Sequence, residues 1–331
     1  MAVATNETAR APRWISAEEL SAMQIKSCEH LVSNLLPAEG CVILAGDSKT
    51  GKSTLSLELA RAVVTGSPAL EALPAMPGAA IYWQADDGSK ERFIRNFREA
   101  FHGQPIKGFE VCFDALPLFG GGLEMLDKAL GRTRAKLAIV DSLIAIRNTR
   151  DQAEDFVRTE YAELRALSDL GRTHHCLVLV LHHYASGRRA AGSNPMIGMA
   201  GSFGVTAGVD GLIALTLLSL TRAERILTVV TRDSPPQKMI YGRDPAGRLF
   251  HIGFGEWADY WDEALMVYRS LRDRSTIDGT DVAEALGVAD RNGRVRLARW
   301  RMAGIVEDMG GRKHAWTDAF MTAAGRLEGA K

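Results

Sequence analysis

The sequence predicts an α/β fold, with a mostly parallel central sheet covered by helices and a smaller C-terminal domain. Between residues 40 and 260, short apolar runs alternate with helical patterns, the order expected of a parallel sheet. Most runs are rich in Val, Ile and Leu without alternating polar residues, as in strands buried on both faces. After residue 260 the pattern changes to three short helices and two short β runs. We therefore predict a flexible lead with one helix, an α/β core and a winged helix-turn-helix, over residues 1–30, 31–260 and 261–331.

Composition limits the class of protein. The 331 residues are 46% hydrophobic and 24% charged, which is typical of a globular chain with one large core and a small second domain. With 40 basic and 40 acidic residues, contact with nucleic acid would need local clusters of charge. The cysteines lack metal-ligand spacing, so we expect reduced thiols and no zinc: Cys28, Cys41, Cys112 and Cys176. No apolar run is long enough for a leader or a membrane span, so we expect a cytoplasmic protein without a membrane partner.

Seven runs are predicted strands of the core: "GCVILAG", "GAAIYWQA", "VCFDALPL", "LAIVDSL", "CLVLVLHH", "GLIALTLL" and "ILTVVTRD". Helices are predicted in "WISAEELSAM", "KSTLSLELARAVVTG", "SKERFIRNFREAFHG" and "QAEDFVRTEYAELRALSDLG", the last three from apolar residues spaced three and four apart. Only "SLTRAER" separates the last two strands, too short for a helical crossover. The sheet is therefore expected to end in an antiparallel hairpin.

A phosphate-binding loop is the strongest motif. Gly46, Gly51, Lys52 and Ser53 fit the pattern GxxxxGK followed by Ser or Thr, after a predicted strand and before a predicted helix. Glycines let backbone N–H groups turn toward phosphates, Lys52 reaches the β and γ phosphates, and Ser53 reaches Mg²⁺. We expect seven residues to bind the nucleotide: Gly46, Lys49, Thr50, Gly51, Lys52, Ser53 and Thr54.

Acidic residues at strand ends supply the remaining groups that such a loop needs. Asp141 ends "LAIVD" as a Walker B carboxylate, which holds the Mg²⁺ shell through water; the alternative is a cap on the next turn. Asp86 and Asp87 follow "IYWQA" at the edge where a parallel sheet binds ligands, and could orient the attacking water. Their alternative role is to cap the following helix.

Two further side chains are candidates for sensing or stabilising the γ-phosphate. His183, with His182, ends "CLVLVLHH" at the same edge and could contact phosphate as a neutral imidazole, or be structural. Arg232 ends "ILTVVTR" and is a candidate arginine finger for a neighbouring subunit's nucleotide. The alternative is a local ion pair with Asp233.

Together these residues resemble the RecA-like ATPases of plasmids and phages, the family of RepA-type hexameric replicative helicases. The resemblance covers about residues 14 to 255, from "WISAEELSAM" through the phosphate loop, "AIYWQADD", "LAIVDSL" and "LVLVLHH" to "TVVTRD". "MAGSFGVTAGVDGLIAL" is similar to the family's Gly-Ser segment, with Asp210 at a matching position.

The resemblance implies ATP and Mg²⁺ as ligands and a ring, expected to be a hexamer, with nucleotide bound between subunits. Loops in the central hole would grip single-stranded DNA. The Gly-rich segment "YASGRRAAGSNPMIGMAGS" carries Arg188 and Arg189 and is the candidate loop; the alternative is an ordinary solvated loop.

The chain departs from the family at Asp86, where the family has a glutamate. The shorter side chain withdraws the carboxylate by about 1.5 Å, and misplacement on that scale can cost on the order of 100-fold in rate. The run "YASGRRA" also departs from the family's Thr-Arg-Lys-like segment after the histidines.

The third helix of the C-terminal region carries five arginines without an acidic residue among them, which predicts a face for double-stranded DNA. They are Arg291, Arg294, Arg296, Arg299 and Arg301. The alternative is a protein–protein module or a ring-stabilising appendage.

The sequence thus predicts a ring-forming, ATP-hydrolysing DNA helicase or translocase for the replication of a plasmid, phage or integrated element. The alternative function is an ATP-switched DNA-binding initiator or regulator with slow or no hydrolysis.

Overall fold

A computed structural model describes residues 14–23, 29–86, 89–104, 106–147, 156–183, 207–218, 222–232 and 234–329. Its main feature is a nine-stranded mixed sheet with strand order β11-β10-β9-β8-β3-β7-β6-β4-β5. The strands of this sheet are β3 (Gly40–Gly46), β4 (Ala80–Gln84), β5 (Phe109–Cys112), β6 (Leu137–Asp141), β7 (Leu177–His183), β8 (Gly211–Leu217), β9 (Arg225–Thr231), β10 (Gln237–Arg243) and β11 (Leu249–Phe254). Before them, β1 (His30–Val32) and β2 (Leu36–Pro37) form a separate antiparallel pair.

Helices cover both faces of the parallel part of the sheet. The first helix, α1 (Ala17–Ala22), has no buried residue and does not cover the sheet. In the described residues the helices that do so are α2 (Lys52–Thr65), α3 (Lys90–Ala100), α4 (Gly122–Thr133), α5 (Leu143–Ile146) and α6 (Phe156–Thr173). Alternate residues of β3 enter two different cores: Val42 and Leu44 pack with residues of α2, whereas Cys41 and Ile43 pack with residues of α4 and α6. Every residue of β3 is buried, as its uninterrupted apolar run predicts.

The directions of the strands differ between the two parts of the sheet. Strands β3 to β8 pair in parallel, whereas β9, β10 and β11 add antiparallel neighbours. The predicted hairpin is confirmed as β8 and β9. The sheet does not end there, because β10 and β11 extend it by two strands that the sequence pattern did not predict. The strand predicted in "VCFDALPL" is also displaced, since β5 ends at Cys112.

The C-terminal region contains the predicted helices and hairpin. They are α7 (Glu256–Ser270), α8 (Gly279–Leu286) and α9 (Asp290–Met302), then β12 (Val306–Gly310) and β13 (Lys313–Trp316), and finally α10 (Asp318–Glu328), which was not predicted. The boundary predicted after residue 260 falls inside α7. Trp261 of this helix packs in one core with Phe250 of β11 and Trp300 of α9. The division into domains stays a prediction.

Within the described residues, no helix combines the length and apolarity needed to cross a membrane.

Candidate nucleotide-binding site

The phosphate loop lies between β3 and α2, as the sequence predicts. Gly46 ends β3, Lys49 to Gly51 form the turn, and Lys52 to Thr54 begin α2. Gly51 has a φ of 100°, a left-handed conformation that glycine adopts without strain. Gly46 is required for space, because a Cβ there would lie 2.7 Å from the carbonyl oxygen of Leu215. The free N–H groups at the start of α2 therefore face a turn that suits an anion.

Lys52 is the buried cation of this loop. Its Nζ donates to the carbonyl oxygens of Gly46 and Asp47, both at 2.9 Å, and lies 3.2 Å from Nδ1 of His183. Burial lowers the pKa of Lys52 to about 8, against the opposing influence of nearby carboxylates. Nearby carboxylates thus balance the positive charge of the buried ammonium only in part, as expected of a group that binds phosphate.

His183 completes the environment of this ammonium. Burial, and then the charge of Lys52, lowers the pKa of His183, so the imidazole is neutral at pH 7. Because an ammonium only donates, Nδ1 accepts from Lys52 and the ring proton lies on Nε2. Burial, followed by the positive charges of Arg147 and Lys52, lowers the pKa of His182 to about 4. Both imidazoles are therefore neutral, and His183 has an N–H with which to contact a phosphate oxygen.

Asp141 lies beside the first turn of α2. Its Oδ2 accepts hydrogen bonds from Oγ of Ser53 and from the hydroxyl of Tyr82, each at 2.8 Å. Burial raises the pKa of Asp141, and the bonds from Tyr82 and Ser53 oppose that rise. The N-cap of the following helix is Ser142, so capping does not explain the position of Asp141. The predicted pair of Ser53 and Asp141 is thus brought together.

Asp86 lies next to this pair through its backbone. The amides of Ala85 and Asp86 donate to the carbonyl oxygen of Asp141 at 2.8 and 2.9 Å. The Asp86 side chain is exposed, and its Oδ2 lies 3.5 Å from Oγ of Ser142. Helix α3 is capped by Ser89, whose Oγ accepts from the amide of Arg92, so capping does not account for Asp86 either. Asp87, Arg188 and Arg189 lie outside the described residues.

Arg232 lies at the opposite edge of the sheet. Its neighbour Thr231 pairs with Gly211, at the start of β8, whereas the phosphate loop follows the other end of β3. The seven residues of β9, from Arg225 to Thr231, span about 20 Å between the two edges. The guanidinium of Arg232 is exposed and donates to the carbonyl oxygen of Ala207 at 3.2 Å. Arg232 therefore cannot reach the phosphate loop of its own chain.

Arg225 begins β9 at the edge of the sheet that carries the phosphate loop, and its position there was not predicted from the sequence. Its Nε donates to the carbonyl oxygen of Thr50 at 3.0 Å, which ties the β8–β9 connection to the phosphate loop. Tyr82 and Ser56 were also missed. No local pattern marks Arg225 and Tyr82, because each reaches the site only through the pairing of distant strands. Ser56 lies in the second turn of α2, and its role depends on its contact with Tyr82.

The arginines of α9 fall into two groups. Arg296 pairs with Glu263 of α7 at 3.0 Å, and Arg301 pairs with Asp308 of the hairpin at 2.8 Å. The other three are exposed and form no ion pair with any residue that the structure describes: Arg291, Arg294 and Arg299. Leu297 and Trp300 are buried, as predicted. Val295 and Met302 of the same helix are exposed as well, so its outer face carries both arginines and apolar side chains.

The residues present fit Mg²⁺ bound together with a nucleotide. In the described parts of the chain, no cluster of three or more His, Cys, Asp or Glu side chains is arranged to hold a metal ion. Ser53 and Asp141 instead offer a hydroxyl and a carboxylate 2.8 Å apart at the start of α2. Mg²⁺ commonly keeps several waters and takes few protein oxygens when phosphates supply other ligands. Ser53 and, through water, Asp141 are the groups that would hold it.

The fold and the phosphate loop define a RecA-like P-loop ATPase. Residues 5–189 match the family described as "AAA domain", and because this is more than half of the chain, the protein belongs to that family. No curated protein matches the sequence. Among solved structures, the "ATPase Domain of G40P" is similar, with a TM-score of 0.50 and 12% identity over 64% of this chain and 84% of that chain. At this identity the likeness concerns the fold.

Proposed function

We propose that the protein is a Mg²⁺-dependent ATPase that hydrolyses ATP to ADP and phosphate. The observation that carries this proposal is the convergence of Lys52, Ser53 and Asp141 at the carboxyl edge of the sheet, where the parallel strands β3, β6 and β7 end. Oγ of Ser53 and Oδ2 of Asp141 lie 2.8 Å apart there. Family membership and the RecA-like fold support it.

Each residue of this edge has a proposed role. Lys52 and the loop amides bind the phosphates, and Ser53 and Asp141 hold Mg²⁺, which would neutralise charge on the β and γ phosphates. Asp86 orients the attacking water, with its short side chain as the weakest part of the arrangement. His183 contacts the γ-phosphate through its Nε2–H.

We further propose that the chain acts as a ring, with Arg232 supplied to the nucleotide of the neighbouring subunit. Its position at the edge opposite its own phosphate loop supports a role in trans. In this proposal the ring is a hexamer, Arg188 and Arg189 contact single-stranded DNA, and the protein is a cytoplasmic helicase or translocase of a plasmid, phage or integrated element.

ATP turnover with and without single-stranded DNA tests this function. We expect Mg²⁺-dependent hydrolysis that DNA stimulates and that Lys52→Ala abolishes. Lys128→Ala is the matched control, because Lys128 is an exposed lysine in a surface ion pair with Glu124 and should leave turnover unchanged. Tight ATP binding without turnover in either condition would contradict a helicase or translocase.

A second candidate is an ATP-switched DNA-binding initiator or regulator with slow or no hydrolysis. The exposed, shortened Asp86 and the outer face of α9 favour it. In this candidate the C-terminal region is a winged helix, with α9 as the helix that enters the major groove and Arg312 in the wing.

Binding of double-stranded DNA by matched α9 variants tests that surface. Arg294→Gln and Arg299→Gln each remove a cation that no described acid neutralises, and we expect about tenfold weaker binding. Arg296→Gln removes a cation already paired with Glu263 and should weaken binding little. Equal effects at all three positions would contradict a defined face.

A further inference from the structure

Tyr82 is a buried residue of β4 beside the proposed metal site. It pairs with Ile139 of β6, two residues before Asp141, so the side chains of Tyr82 and Asp141 lie on the same face of the sheet. The Tyr82 side chain is 1% exposed, and its hydroxyl lies 2.8 Å from Oδ2 of Asp141. The hydroxyl thus contacts the carboxylate from beneath α2.

Hydrogen bonds connect this hydroxyl back to the phosphate loop. Oγ of Ser56, in the second turn of α2, lies 3.2 Å from the Tyr82 hydroxyl and 3.0 Å from the carbonyl oxygen of Ser53. Because Tyr82 donates its proton to Asp141, Ser56 is the donor toward both of these oxygens, and they share its single proton. Oγ of Ser53 in turn donates to Asp141. Ser53, Asp141, Tyr82 and Ser56 therefore form a closed ring of contacts between α2 and two strands.

The ring constrains the Asp141 carboxylate. An ionised carboxylate only accepts, so both hydroxyls donate to the same oxygen, Oδ2. Oδ1 accepts no hydrogen bond from the residues that the structure describes. Two donors converging on one oxygen from different elements fix the rotation of the carboxylate and leave Oδ1 as the oxygen that can accept from a water of hydrated Mg²⁺.

Packing does not require the hydroxyl. The ring of Tyr82 packs edge-on against Phe93, with centroids 5.0 Å apart, and against Phe109 at 6.5 Å. A phenylalanine could make both contacts. A buried hydroxyl is costly unless it is hydrogen-bonded, and this one is bonded to the carboxylate of the proposed metal site.

We propose that Tyr82 is a positioning residue for Mg²⁺, which acts by holding Oδ2 of Asp141 so that Oδ1 is presented to the hydrated ion. This inference rests on the proposed nucleotide site and concerns the metal dependence of that site. Tyr82 itself touches neither metal nor nucleotide.

Tyr82→Phe tests the inference through equilibrium binding of ADP, titrated calorimetrically over a series of Mg²⁺ concentrations. We expect the Mg²⁺ concentration at half-maximal enhancement of binding to rise about tenfold, the lower range for residues that orient a metal ligand. Binding of ADP in EDTA should stay unchanged. A wild-type Mg²⁺ dependence in Tyr82→Phe, or an equal loss of binding in EDTA, would overturn the inference.

Two further variants separate positioning from packing. Phe93→Leu disturbs the aromatic contact without touching the hydroxyl, so its Mg²⁺ dependence should match that of the wild type. Ser56→Ala removes the second partner of the Tyr82 hydroxyl and should shift the Mg²⁺ dependence in the same direction as Tyr82→Phe. If Tyr82→Phe does not fold, Ser56→Ala tests the inference in its place. A shift in Phe93→Leu as large as that in Tyr82→Phe would count against positioning.

Failure of the underlying site is distinguishable from failure of this inference. If wild-type protein binds ADP with no response to Mg²⁺, the proposed site is wrong. If the wild type responds and Tyr82→Phe responds identically, only the role of Tyr82 is wrong.

Discussion

Two aspartates at opposite edges of the same sheet have different surroundings. Asp210 lies at the amino edge, where the parallel strands begin, and both of its carboxylate oxygens have protein partners. Oδ2 accepts from the amide of Cys41 at 2.9 Å and from Oγ of Ser168 at 2.7 Å, and Oδ1 pairs with Arg172. Asp141, at the carboxyl edge, receives two hydroxyl donors on one oxygen and forms no ion pair with a described residue.

The difference separates a structural carboxylate from one available to a ligand. Asp210 joins the start of β3 to α6 and leaves no room for more, since a Cβ on Gly40 would lie 2.3 Å from its Oδ2. Asp141 keeps one oxygen without a protein donor among the described residues. Both aspartates match positions of the family that the sequence resembles, and their hydrogen bonds distinguish them.

Arg232 is the exception at the amino edge, because we propose a catalytic role for it in a neighbouring subunit. We expect Arg232→Ala to lower ATP turnover about 1,000-fold, as for loss of an arginine finger, with ATP binding retained. Steady-state hydrolysis and equilibrium binding measure the two effects.

Mixing supplies the control for Arg232. A 1:1 mixture of Arg232→Ala and Lys52→Ala subunits should regain up to about a quarter of wild-type turnover, because some interfaces pair an intact loop with an intact arginine. No recovery in mixed assemblies would contradict action in trans.

Asp210→Ala should cost stability instead of metal binding. It leaves the buried amide of Cys41, the hydroxyl of Ser168 and Arg172 without their acceptor, and we expect the free energy of unfolding to fall by about 3 kcal/mol. Urea denaturation measures this change. The surface variant Glu124→Ala, which loses only an exposed pair with Lys128, should change stability by less than about 0.5 kcal/mol. A loss for Asp210→Ala no larger than that of the control would contradict the structural role.

Asp86→Glu should raise turnover, since the longer side chain advances the carboxylate by one carbon–carbon bond toward the position that the family's glutamate occupies. We expect a gain of about tenfold, within the range that a 1 Å displacement can cost. Single-turnover hydrolysis measures it, with Asp318→Glu, in the exposed first turn of α10, as a control away from the edge. An unchanged rate in Asp86→Glu would count against Asp86 as the water-orienting residue.

Local patterns in the sequence predicted most of the core and several candidate residues that the structure brings together. The buried strands read as apolar runs, and the spacing of Gly46, Gly51 and Lys52 identified the loop because glycine and lysine are required there for backbone and charge reasons. Asp141 and His183 could be proposed from the sequence because strands of a parallel sheet end at one edge, and the structure places them beside Ser53 and Lys52.

What could not be predicted depends on pairing between distant segments. Strands β10 and β11 were missed because "QKMIYGR" and "LFHIGF" carry mixed polarity at the end of the sheet. Tyr82 and Arg225 reach the site only through the register of β4 with β6 and of β9 with β8. The sequence does not distinguish the five arginines of α9, because Glu263 and Asp308, which pair with two of them, lie on other elements.

The Mg²⁺ dependence of ADP binding in Asp141→Asn and Asp210→Asn compares the two edges directly. We predict that Asp141→Asn raises the Mg²⁺ concentration needed by about 10- to 100-fold with little change in thermal stability. Asp210→Asn should show the reverse, a lower melting temperature with wild-type Mg²⁺ dependence. A wild-type Mg²⁺ dependence in Asp141→Asn would contradict the assignment of the carboxyl edge as the site of the metal and its nucleotide.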